Sequence, residues 1–451
     1  MIIIHVADKM CPRRQKLKTT RPRRYTSSDT LAVKSHPTAH SPSIVTTRKS
    51  AAHKWQFPSR IRPNAFSWRS SPTAVARIKD AVAEIRSVSR NDPATAAEGA
   101  VRLIERLSPA LEHVNSSSGA LGSAVSRAIE ALVPIISAAD VPVPVREKWL
   151  ERLYEAHAAD QMPYIENLAD YWGELCVTPQ LASAWADRMI DITRMALSPD
   201  KSLRGHYHGT SACLSALLRA GRYADIHSLL AHTDFWHYKL YAVKALAADG
   251  NPDEAIALAE SLRGPWTPEL AVDRLCERIL LDTGRVDEAY RRFGLTAHVG
   301  GTYLATFREV AKTYPGAPRE QILRDLVRRS PGNEGKWFTA AKELRLYDLA
   351  LELVRDSPCD PKTLARAARD HAGREPAFAV GAALAALHWL TLGYGYEITA
   401  LDVWSAYHAA VKAAENLGQV GEVQTIIHDL IATSGPDTFV HQVLGRELGL
   451  I

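Results

Sequence analysis

The stretch Lys244-Ala-Leu-Ala-Ala-Asp-Gly-Asn-Pro-Asp-Glu-Ala-Ile-Ala-Leu-Ala259 decides how this 451-residue chain folds. Gly250 can take the left-handed backbone that closes a helix without a Cβ clash. Asn251 stands where an N-cap accepts a backbone N–H, and Pro252 occupies the first helical position, where no N–H is missed. Glu254, three residues after that cap, can close a capping box and meet the positive end of the helix dipole. Ala255, Leu258 and Ala259 follow at i, i+3 and i+4 as the packing face of a new helix. The stretch therefore reads as helix, turn, helix.

The same order of events recurs outward from this point. Gly221-Arg-Tyr-Ala-Asp225-Ile226, Gly284-Arg-Val-Asp-Glu288-Ala289 and Gly418-Gln-Val-Gly-Glu422-Val423 repeat it, and Leu344-Arg-Leu-Tyr-Asp348-Leu349 carries leucine in the glycine place. Successive turns lie 29, 34, 60 and 74 residues apart. The first two spacings fit one helical hairpin each. The last two fit two hairpins each, with a middle turn too degenerate to see. A period near 34 is that of tetratricopeptide repeats (TPR), and residues 244–259 resemble one, although their neighbours lack the regular Trp-Leu-Gly-Tyr opening. The resemblance implies TPR-like hairpins and protein–protein interaction.

Upstream, Ala74-Val75, Ile78, Ala81-Val82 and Ile85 keep helical spacing, Asn91-Asp92-Pro93 caps a second helix, and Ser116-Ser-Ser-Gly119 breaks the chain before a third. The turn at Pro142 and Pro144 starts a fourth. Asp92-Pro93, Ala100-Val-Arg-Leu-Ile104 and Leu111-Glu-His-Val-Asn-Ser-Ser-Ser-Gly119 are similar to a bacterial family of helical proteins of unknown function. That likeness implies helices and a bacterial origin, and no activity. The expected fold is all-α: a right-handed α-α solenoid of roughly 20 helices. Residues 1–58 are expected to be a disordered basic tail, 59–175 an N-terminal helical region and 176–451 the TPR-like array.

Charge is unevenly placed. Residues 1–70 hold 15 lysines and arginines against two carboxylates, Asp8 and Asp29, which leaves 40 basic and 48 acidic residues in the remainder. The pI of 8.8 is therefore a property of the tail. That tail has no helical or alternating period and too little apolar surface to offset the entropy of ordering. Its basic runs can contact nucleic acid through phosphates, and the alternative readings are a transit peptide, contact with an acidic partner, or an inert extension. Five cysteines without paired spacing argue for a reducing compartment, and the expected location is cytoplasmic. One uncharged stretch of spanning length, residues 376–396, reads as a buried helix rather than a membrane span.

Common catalytic signatures are absent. Gly332-Asn-Glu-Gly335-Lys336-Trp337 has the wrong spacing for a phosphate loop, and Ser198-Pro-Asp-Lys201 lacks its companion motifs. His206, His208 and Cys213 form the one metal candidate: in an extended loop the two histidines point the same way and the cysteine follows a turn later. Gly300-Gly301-Thr302 reads as a helix cap. Trp389, Tyr394, Tyr396 and Trp404, with Gly393 and Gly395 among them, are the candidate partner-binding residues. The function expected is a non-catalytic scaffold that holds a protein or peptide segment and needs no cofactor. The alternatives are a nucleic-acid-associated protein using residues 1–58 and a metal-dependent enzyme centred on His206 and His208.

Overall fold

Each of the five turns closes a helix through the same pair of backbone bonds. The computed structural model describes residues 53–200 and 202–451. In it Asn251 N–H donates to the Leu246 carbonyl and Gly250 N–H to that of Ala247, with Gly250 at φ +88°. This is the six-to-one and five-to-two arrangement of a Schellman motif, and it satisfies carbonyls the helix end would leave open. Gly221, Gly284 and Gly418 repeat it at φ +72°, +74° and +71°. In the fourth turn the left-handed residue is Arg345, at φ +59°, and not Leu344. The expected side-chain caps do not form at Asn251: its carboxamide turns back to the Asp249 carbonyl, and no capping box includes Glu254. Backbone geometry alone carries that turn.

The arginine after two of the glycines explains the rest of the signature. Arg222 pairs with Asp225 three residues on and with Asp187 in the preceding hairpin. Arg285 pairs in the same way with Glu288 and with Asp253. The turn therefore fixes its own geometry and ties one hairpin to the one before it. Both arrangements are partly solvated, so each contributes little to stability.

Regular structure among the described residues is helical throughout, with twenty-two α-helices and no strand. The middle turns hidden from the sequence lie at residues 314–318 and 372–375, between Tyr303–Thr313 and Arg319–Arg328 and between Pro361–His371 and Pro376–Thr391. Upstream, Ser71–Ser89 buries Ala74, Ile78, Ala81, Val82 and Ile85, and the Asp92 carboxylate caps Pro93–Leu111 by accepting from Thr95 N–H. Ser71–Ser89 packs on Pro93–Leu111 and on Ala120–Ser137, and Pro361–His371 packs on Pro376–Thr391 and on Ala400–Leu417. At both ends of the described chain a helix thus touches its next neighbour in sequence and the one after it.

Two hydrophobic clusters run the length of residues 57–444 and meet in Trp236–Ala248, where Tyr241, Ala242 and Ala245 face one and Val243 the other. The expected boundary at 175/176 falls within the helix Trp172–Cys176. The expected tail lies, for residues 1–52, outside the described residues. Beyond them Phe57 is already buried and opens the helix Phe57–Arg60. Among the described residues one helix, Ala120–Ser137, is long and apolar enough to cross a membrane; Pro376–Thr391 is shorter and buries eight of its side chains.

Candidate interaction surface

The connections between helices are of two kinds. Short turns lie at residues 220–222, 249–251, 283–285, 344–346 and 418–419. Longer loops lead into Thr210–Arg219, Trp236–Ala248, Glu269–Asp282, Tyr303–Thr313 and Ala400–Leu417. Exposed large apolar side chains gather in the longer loops: Leu203, Phe235, Trp266, Val299, Tyr394 and Tyr396. Trp266 is 87% exposed and Tyr396 81%. Beside the short turns of the same stretch the counterpart is Val286. Single exposed apolar residues are ordinary; here they recur in four successive loops up to Val299 and again at 392–396, with none among the described residues between 300 and 391.

The four aromatic candidates divide. Trp389 belongs to the core: it is buried, and its indole N–H donates to the Val354 carbonyl at 2.8 Å. A buried indole with a satisfied N–H offers a partner nothing, so Trp389 is corrected to a packing residue. Tyr394 is half out of the surface and rests edge-on against Trp389 at 5.0 Å, at a turn that Gly393 closes with the same backbone pair as the others. Trp404 is half-buried and stacks on His408 at 5.3 Å. Tyr396 stands free in one of the longer loops. Thr302 caps its helix by accepting from Ala305 N–H, as expected.

His206 and His208 do come together, rings edge-to-face at 4.6 Å, and both are exposed. Cys213 does not join them. It is fully buried in Thr210–Arg219, and burial pushes its thiol up to about 11, so it stays a neutral thiol rather than the thiolate a metal requires. The nearer third ring is His157, 6.4 Å from His208, and no local spacing in the sequence points to it. Among the described residues no three His, Cys, Asp or Glu side chains are placed to hold a metal ion.

Two polar clusters, one half-buried and one buried, escaped the sequence reading. Asp170 Oδ1 lies 3.0 Å from His237 Nε2 and accepts from Tyr241 Oη at 2.9 Å, with Lys244 one turn further along the same helix. Burial opposes the Asp170 charge, but the His237 and Tyr241 hydrogen bonds and the Lys244 ammonium outweigh it and hold the carboxyl below its usual range. Glu277 Oε1 repeats the theme with His298 Nε2 at 2.9 Å and Tyr314 Oη at 2.6 Å. Each carboxylate is satisfied by side chains of a neighbouring hairpin. Both clusters therefore act as cross-links, and neither presents a free group to a substrate.

Comparison with known proteins matches this chain to no protein-family model, no curated protein and no solved structure.

Proposed function

We propose that this protein is a non-catalytic scaffold: a right-handed solenoid of TPR-like helical hairpins that holds a segment of another protein. The gathering of exposed apolar side chains in the longer loops, from Leu203 to Tyr396, carries this reading. Stacked hairpins present equivalent positions at regular intervals, so one extended partner can touch several loops at once. The contacts of Ser71–Ser89 and of Pro361–His371 with their next two neighbours, and the five identical turns, support the solenoid. Aromatic anchors such as Trp266 and Tyr396 are the residue types that dominate binding energy at interfaces.

The test is affinity capture from native lysate with the full chain and with a W266A/Y396A variant. Both positions are so exposed that the substitutions leave folding intact. A stoichiometric protein partner held by the parent and lost by the variant supports the reading. Capture of nuclease-sensitive material alone would replace it with the nucleic-acid reading, whose basic residues 1–52 lie outside the described part.

A further inference from the structure

Between Ser71–Ser89 and Ala120–Ser137 runs a groove of about 630 Å³ with exposed cations on both banks. Its floor is Ile78, Val82, Ala124 and Ala128. Its rims carry Lys79, Arg86 and Arg90 on one helix and Arg127 on the other, against a single carboxylate, Glu130. All four cations are exposed, and among the described residues none has a carboxylate within pairing distance. Elsewhere Arg188, Arg222, Arg285, Arg292 and Arg308 are paired, while others such as Arg319 and Arg329 are exposed without an ion pair; here four unpaired cations line one groove.

We infer that this groove binds an acidic amphipathic helix of a partner protein. An apolar trough takes the apolar face of such a helix, and the cationic rims take its carboxylates. The spacing agrees. Lys79, Arg86 and Arg90 are seven and four residues apart, which on a helix are rises of about 10.5 and about 6 Å, and carboxylates at the same intervals on a parallel partner helix meet them in register. The chain's own tail is the wrong occupant, because residues 1–52 are strongly basic with only Asp8 and Asp29 to offset them. Single-stranded nucleic acid fits less well, because its binding grooves offer aromatic faces for stacking and this one has none. The inference uses the scaffold reading but a different surface from the longer loops, so each can fail alone.

The experiment is fluorescence anisotropy with the full chain. The probes are a labelled helical peptide of Leu, Ala and Glu with glutamates at those intervals, its lysine counterpart, and a single-stranded oligonucleotide. The variants are R86E/R127E and, as a control elsewhere on the surface, R329E. Circular dichroism melting checks that each variant folds, which is expected because none of these arginines has a partner to lose. The acidic peptide should weaken by tenfold or more on R86E/R127E and stay unchanged on R329E, while the lysine peptide gains on the reversed groove. An acidic-peptide titration that ignores R86E/R127E would place binding elsewhere, the tail included, and overturn the inference. So would an oligonucleotide that outcompetes the peptide and is itself released by the reversal. Lysate capture that survives R86E/R127E but not W266A/Y396A would leave the scaffold reading standing without the groove.

Discussion

Replacing Gly250 with alanine and Arg345 with glycine perturbs equivalent positions of two turns in opposite directions. Gly250 sits at φ +88°, and a Cβ added there would meet nothing within 4 Å, so the cost is confined to the backbone. An L-residue in the left-handed region costs about 1–2 kcal/mol, and the stiffer unfolded chain of the alanine variant returns about 0.4–1 kcal/mol. The net loss expected for G250A is about 1 kcal/mol. Arg345 already bears that strain at φ +59°, and its side chain is exposed. R345G should therefore stabilise its turn by about 0.5–1 kcal/mol. Arrays of hairpins open segment by segment, which calls for a local readout, native-state hydrogen exchange. The reporters are the Asn251 amide, bonded to Leu246 at 2.9 Å, and the Leu346 amide, bonded to Ala341 at 3.0 Å. A loss of 1 kcal/mol speeds exchange about fivefold at Asn251, and the gain slows Leu346 by about two- to fivefold. Unchanged exchange at Asn251 in G250A, or faster exchange at Leu346 in R345G, would refute the reasoning.

Three further outcomes follow from particular contacts. Gly173 approaches the next hairpin so closely that a Cβ would stand 2.3 Å from the Ser215 carbonyl oxygen and 2.7 Å from Arg219 Cβ, both hard to move; G173A should cost about 2–3 kcal/mol in urea unfolding. A double-mutant cycle on Arg222 and Asp187 should give a coupling near 0.5 kcal/mol that fades in high salt, and a coupling indifferent to salt would refute the exposed-pair account. The buried His157 ring is held neutral, its pKa lowered first by desolvation and further by nearby His208, against an opposing hydrogen bond at Glu166. The unfolded chain still takes a proton near pH 6.5, so stability should fall as pH drops through that value and level off below the folded pKa. H157Q should flatten this limb of a melting-temperature profile between about pH 7.5 and about pH 5. A limb that survives the substitution belongs to another group.

The turns were legible because their chemistry is local. A glycine at the end of an apolar run, with proline or a carboxylate just after it, specifies a helix stop and start within six residues, and backbone bonds at Gly221, Gly250, Gly284 and Gly418 bear that out. Apolar spacing likewise marked the buried face of Ser71–Ser89. Arg345 shows the limit: a non-glycine residue can occupy the left-handed position where surrounding packing holds it, and no residue type announces that. The side-chain caps expected at Asn251 failed for a related reason, since the backbone bonds of the turn already satisfy the helix end. The functional surface was less legible still. Trp389 and Tyr396 look alike in a sequence, yet one is buried against Val354 and the other projects from a loop, which depends on helices about 35 residues apart. Asp170 with His237, Arg222 with Asp187, and the groove between Ser71–Ser89 and Ala120–Ser137 join residues of separate hairpins. By itself, then, the sequence determined where helices end, which faces are apolar and that the tail is basic, because those are properties of neighbours along the chain. Which hairpin faces which, and so which charges are paired and which stand open along a groove, was decided by tertiary packing alone.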